Sequence, residues 1–192
     1  MVETISDSDG TPRTPMIVDS AQPEAVGSLE PWLRATHADT PAVLRAVVHA
    51  LELAQEDLMR WCRDLTDNEV NATPLGLPPI AFHLRHIARS ADRLLTYAEG
   101  RELNVNQLLA LKGEMVSGAT RDGLMEEVSQ AIDNAKQRVR VIRGGGLEAP
   151  RSVGRNRLPT TLAGLVVHVA DHTQRHVGQV VTTSKVIKAL RS

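Results

Sequence analysis

Histidine is the residue type whose spacing in this chain could do chemistry. Five of the seven histidines fall on two stretches of helical periodicity, His83 and His86 on one and His168, His172 and His176 on the other. A neutral imidazole is a ligand for Zn2+, Ni2+ and related ions. Residues four apart on a helix stand one above the other, so His172 and His176 can aim both rings at a common ion. Leu162, Leu165, Val166, Val169 and Val180 mark the buried direction of that helix. At about 100° per residue, His176 lies about 30–40° from that direction, His172 about 80° and His168 about 120°, which makes His168 the outlier. A catalytic site of this type takes three protein ligands and keeps an open position, so a third imidazole is expected from a facing helix. His83 lies closer to the stripe of Ile80, Leu84, Ile87, Ala91, Leu94 and Ala98, and His86 nearer its edge; spacing alone leans to His83. Whether His83 or His168 joins the site stays open at this point. The pair is not a His-Glu-x-x-His motif, since Asp171, Thr173, Gln174 and Arg175 surround it without a Glu in the general-base position, and no catalytic residue is assigned. Asp171 or Gln179 is expected to orient a ligand imidazole. His37 and His49 are read as surface or hydrogen-bonded residues.

Other chemistry-bearing features are weaker. Gly144-Gly145-Gly146 lacks the Lys-Ser/Thr of a phosphate-binding loop and follows a helix, so it reads as a helix terminator. Cys62, the single cysteine, can form no internal disulfide and reads as a buried structural thiol beside Trp61. Arg151, Arg155 and Arg157 cluster in one loop, where they read as solvated, with reception of an anionic substrate the functional alternative. Trp32 is expected to pack the start of the domain.

The elements that must position these residues follow from periodicity. Residues 1–30 are rich in Ser, Asp, Thr, Pro and Gly and are expected to be a disordered tail, with one domain over 31–192. Thr40 and Pro41 announce a long helix over about 41–65; residues 66–79 read as loop; a second helix runs from Pro78 or Pro79 to a stop at Gly100. Residues 101–119 form a long middle connection with one or two helical turns. Thr120 opens a third helix, acidic early and basic late. A polar loop with no strand pattern then leads to a fourth helix capped by Thr160 or Thr161. The expected fold is all-α, a four-helix bundle. With 22 Lys+Arg against 23 Asp+Glu and 2% aromatic residues, nothing favours nucleic acid as a partner. No apolar run is long enough to span a membrane, and the acidic, polar N-terminus is unlike a secretory signal; the expected location is cytoplasmic.

With HIARSADRLLTYAEG on the second helix, and His168-x3-His172-x3-His176-x-Gly178-Gln179 on the last, the sequence resembles the DinB/YfiT-like metalloenzyme superfamily over about residues 40–188. The resemblance implies an up-down-down-up bundle with a divalent metal, Zn2+ or Ni2+ first among candidates, on three histidines. Motif for motif these are His86, His172 and His176, which replaces the lean to His83. It further implies a homodimer acting on a small molecule. The activity implied is thiol-dependent S-transfer with a low-molecular-weight thiol cosubstrate, which the arginine loop could hold by its carboxylate. A metal-dependent hydrolase and a non-catalytic dimeric helical binding module are the alternatives.

Overall fold

The computed structural model describes residues 29–142 and 146–191. Most of the 1–30 tail and Gly144-Gly145 of the glycine run therefore lie outside the described residues. The four long helices are α1 (Ala42–Cys62), α3 (Ile80–Ala98), α5 (Arg121–Val141) and α6 (Leu162–Leu190). Each carries its apolar side chains at three- and four-residue spacing, and that face is what it buries. On α1 these are Leu44, Val47, Val48, Leu51, Ala54, Leu58 and Cys62. Leu51, Leu58, Leu84, Ile87, Leu95, Leu124, Ile132 and Leu162 are among the largest fully buried side chains, and all four helices contribute to one core.

Side-chain pairs fix the directions. His83 meets His176 and His86 meets His172, so α3 and α6 are antiparallel. Gln174 reaches Ala50 O and Arg191 reaches Asp64 O, so α1 and α6 are parallel. Arg89 with Glu127, and Arg138 with Glu99, make α3 and α5 parallel. The order is up-down-down-up. Two parallel helices in succession require a connection that travels the length of the bundle, and α4 (Val105–Lys112) lies within it.

Local chemistry sets the ends. Gly100, at φ +77°, turns the chain out of α3 so that Arg101 N–H returns to Thr96 O and Gly100 N–H to Tyr97 O. Thr120 and Thr161 accept from Gly123 N–H and Gly164 N–H and cap α5 and α6. Helix α1 differs from expectation: its N-cap position is Pro41, without a side-chain cap. The stretch read as loop holds a short helix, α2 (Asp67–Asn71), opened by a reciprocal Thr66/Glu69 capping box. The polar loop before α6 contains a hairpin, β1 (Pro150–Val153) with β2 (Leu158–Thr161), antiparallel with Pro150 opposite Thr161. Gly154 and Arg157, both at positive φ, make its turn. Trp32 is 61% exposed and bonds Glu30 rather than packing the domain. Among the described residues no helix is long and apolar enough to cross a membrane.

Candidate metal centre

The antiparallel register of α3 and α6 brings four histidines to one level of the bundle. The rings of His86, His172 and His176 form a triangle, with centroids 5.0 Å (His86–His172), 4.5 Å (His86–His176) and 4.7 Å (His172–His176) apart. One nitrogen from each lies within 4.8 Å of the other two, and all three residues are half-buried. His86 Nε2 and His172 Nε2 are 2.9 Å apart. Two nitrogens each about 2.0–2.1 Å from a tetrahedral ion stand roughly 3.3 Å apart, so a small side-chain rotation adapts the pair to an ion.

The surroundings disfavour charge on the two rings of α6. Burial, reinforced by His176 and His86, pushes His172 down to about 4. Burial likewise holds His176 below the ordinary histidine range. An uncharged imidazole keeps the lone pair that a metal requires. On His86, Nδ1 lies 2.7 Å from Glu114 Oε2, and a carboxylate only accepts, so Nδ1–H donates there and Nε2 turns toward His172. Burial would raise the Glu114 carboxyl, but the bonds from His86 and from Arg93 Nη1 (2.7 Å) outweigh it and hold it below the usual carboxylate range. Glu114 of the crossover is thus held between two side chains of α3, Arg93 and His86. Phe82 stacks on His86 with centroids 5.4 Å apart.

Sequence reasoning did not find Glu114. The available signal was that it is the one acidic residue between Leu103 and Ala119, inside an apolar stretch. Asp171, expected to orient a ligand ring, instead bonds His168 Nδ1 at 2.8 Å, and Gln179 is exposed. His168 lies on the outer side, its ring 5.3 Å from His172. His83, outside the triangle, is 3% exposed, with Nδ1 2.9 Å from His176 Nδ1 and Nε2 without a partner among the described residues.

The remaining candidates fall elsewhere. His37 bonds Glu52 and Arg140, and His49 bonds Thr36, so both tie the N-terminal segment to the bundle. Cys62 is fully buried, and burial pushes its thiol up to about 11, which makes it inert at neutral pH. Arg151 donates to Ala98 O at 2.6 Å, twelve residues along α3 from His86. That is roughly 18 Å at the helical rise. The arginine loop thus meets α3 at the end away from His86.

The DinB superfamily profile matches residues 50–180. The chain belongs to the DinB superfamily. A conserved protein from Enterococcus faecalis has a similar crystal structure, with a TM-score of 0.62 at 17% identity over 76% of this chain and 96% of that one. At that identity the likeness speaks for the fold. No curated protein matches the chain. Membership of the DinB superfamily and the three-imidazole cluster together fit a metal-binding protein.

Proposed function

We propose that this DinB superfamily protein is a divalent-metal-dependent enzyme, an S-transferase that uses a low-molecular-weight thiol, with Zn2+ or Ni2+ held by His86, His172 and His176. The observation that carries the reading is the convergence of three imidazole nitrogens from two helices within 4.8 Å. Three ligands leave a coordination position for a small molecule. A divalent ion held there lowers the pKa of a thiol or water, so that a nucleophile is available at neutral pH. The protein's own part is positional. Glu114 fixes the His86 tautomer, Arg93 keeps Glu114 ionised, and Phe82 covers one face of His86. We infer a homodimer as the assembly, supported by the exposed apolar side chains Val105, Leu109, Met115 and Val116 on and after α4.

Elemental analysis of untagged protein tests the centre. About one divalent ion per chain is expected in the wild type and none in His172→Ala, with helical circular dichroism unchanged. Equal metal in both would remove the ligand assignment. A screen of thiols with electrophilic substrates then separates transferase from hydrolase, which would turn over with water alone. Sedimentation of the same samples reads the dimer, and a monomer at micromolar concentration would end that part.

A further inference from the structure

The arginine cluster before α6 remains outside the metal centre, and the fold gives it a second site. A cavity of about 610 Å³ opens where the α3–α4 connection meets the hairpin. That volume is within the roughly 300–1,000 Å³ of small-molecule pockets. Its lining includes four guanidinium groups, Arg101, Arg151, Arg155 and Arg157, against a single carboxylate, Glu102. Residues some fifty positions apart meet here because Gly100 turns the chain sharply and Arg151 Nε is tied to Ala98 O.

The positive charge is poorly compensated. Arg101 pairs with Glu99, which Arg138 also holds. Arg151 donates from Nε and Nη1 to main-chain oxygens, those of Ala98 and Pro150. Arg157 reaches Glu102 only at 3.6 Å, with the two side chains 73% and 91% exposed, so that pair is weak. Arg155 makes no ion pair among the described residues. Tyr97, Leu103 and Leu108 supply an apolar wall beside these charges. Guanidinium forks match the two-oxygen edge of a carboxylate or phosphate, and the apolar wall is left unused by a bare inorganic anion.

We propose that this cavity binds a small organic oxyanion, a carboxylate or phosphate attached to a compact apolar group. The site is separate from the three histidines and does not depend on the reading of their function. It lies roughly twelve residues of helix, about 18 Å, from His86.

Isothermal titration of the full chain with phenyl phosphate, benzoate and inorganic phosphate tests this. Saturable one-to-one binding of phenyl phosphate or benzoate is expected, tighter than that of inorganic phosphate and weakened by salt. Which of the two binds distinguishes phosphate from carboxylate. The double variant Arg155→Ala/Arg157→Ala should weaken binding by about tenfold or more, as loss of a charge-assisted hydrogen bond implies. His176→Ala should leave it unchanged. If the double variant loses helicity, Arg155→Ala alone is read, since that side chain makes no ion pair among the described residues. No saturable binding at millimolar ligand would overturn the proposal. So would loss of binding in His176→Ala but not in the arginine variants, which would put the anion at the metal centre.

Discussion

His83 and His176 face each other through their Nδ1 atoms, and only one of the two can carry the hydrogen. His83 is buried with no solvent to stabilise a charge, and burial, with His176 and His86 nearby, pushes it down to about 4. His172 is pushed down to about 4 as well. An unfolded chain protonates these rings from about 6.5 downward, while the folded protein resists until about 4. The unfolded state therefore binds more protons in that window, and stability must fall as pH drops through it. For metal-free protein we expect a melting temperature that holds above about pH 6.5 and declines between about 6.5 and 4, read by calorimetry. His83→Leu should make the decline shallower. A flat profile in the wild type would mean that these rings are not held neutral by the fold. The pairing also shows what spacing could and could not say. Helix phase placed His172 and His176 together and set His168 apart, but His83 and His86 both border the buried face of α3, so periodicity left them open. The family motif pointed to His86, and the register of α3 against α6 gives the two their neighbours, His172 for His86 and His176 for His83.

At the scale of elements, the long helices were legible because each buries a wide apolar stripe, whereas the short ones are made by side chains that bond backbone. Thr66 with Glu69 and Asn104 with Gln107 are both capping boxes, at α2 and α4. The first opens no apolar run, which is why residues 66–79 read as loop. The hairpin was hidden for a related reason. Each four-residue strand carries a proline and no alternation, and its pairing depends on the left-handed turn at Gly154 and Arg157. Helix α4 depends on Gln107 beyond the cap. That side chain is 9% exposed and its amide donates to Asp92 Oδ2 (2.7 Å) and Thr96 Oγ1 (2.8 Å) on α3. Gln107→Ala removes the anchor and half of the capping box together. Hydrogen exchange over 105–112 should then quicken by about tenfold, as loss of roughly 1–2 kcal/mol of local stability implies, while α3 and α5 keep their protection. Exchange unchanged over 105–112 would show that α4 is held by something else. Because Glu114 follows α4 directly, the same variant should loosen its bond to His86.

The whole bundle is what turns two helix faces into one site. Its order makes α3 and α6 antiparallel neighbours, and the three imidazoles straddle that contact rather than lying within one element. An ion held by His86 on α3 and by His172 and His176 on α6 therefore ties residues distant in the chain, and it does so only in the folded state. Any ligand with that preference stabilises by mass action, about 4 kcal/mol when present at 1,000 times its dissociation constant. For a chain of this length each kcal/mol moves the melting temperature by roughly 2–4 °C, so the expected rise is about 8–16 °C. The apolar core and the polar links between the helices, such as Arg89 with Glu127, do not involve that ion. Adding Zn2+ or Ni2+ to metal-free wild type should thus raise the melting temperature, and the same addition to His176→Ala should raise it far less, because two of three ligands hold an ion weakly. An equal rise in both proteins would locate the stabilising ion at another site. No rise in either would leave the histidine triangle as packing between α3 and α6, with its tautomers set by Glu114 and His83 alone.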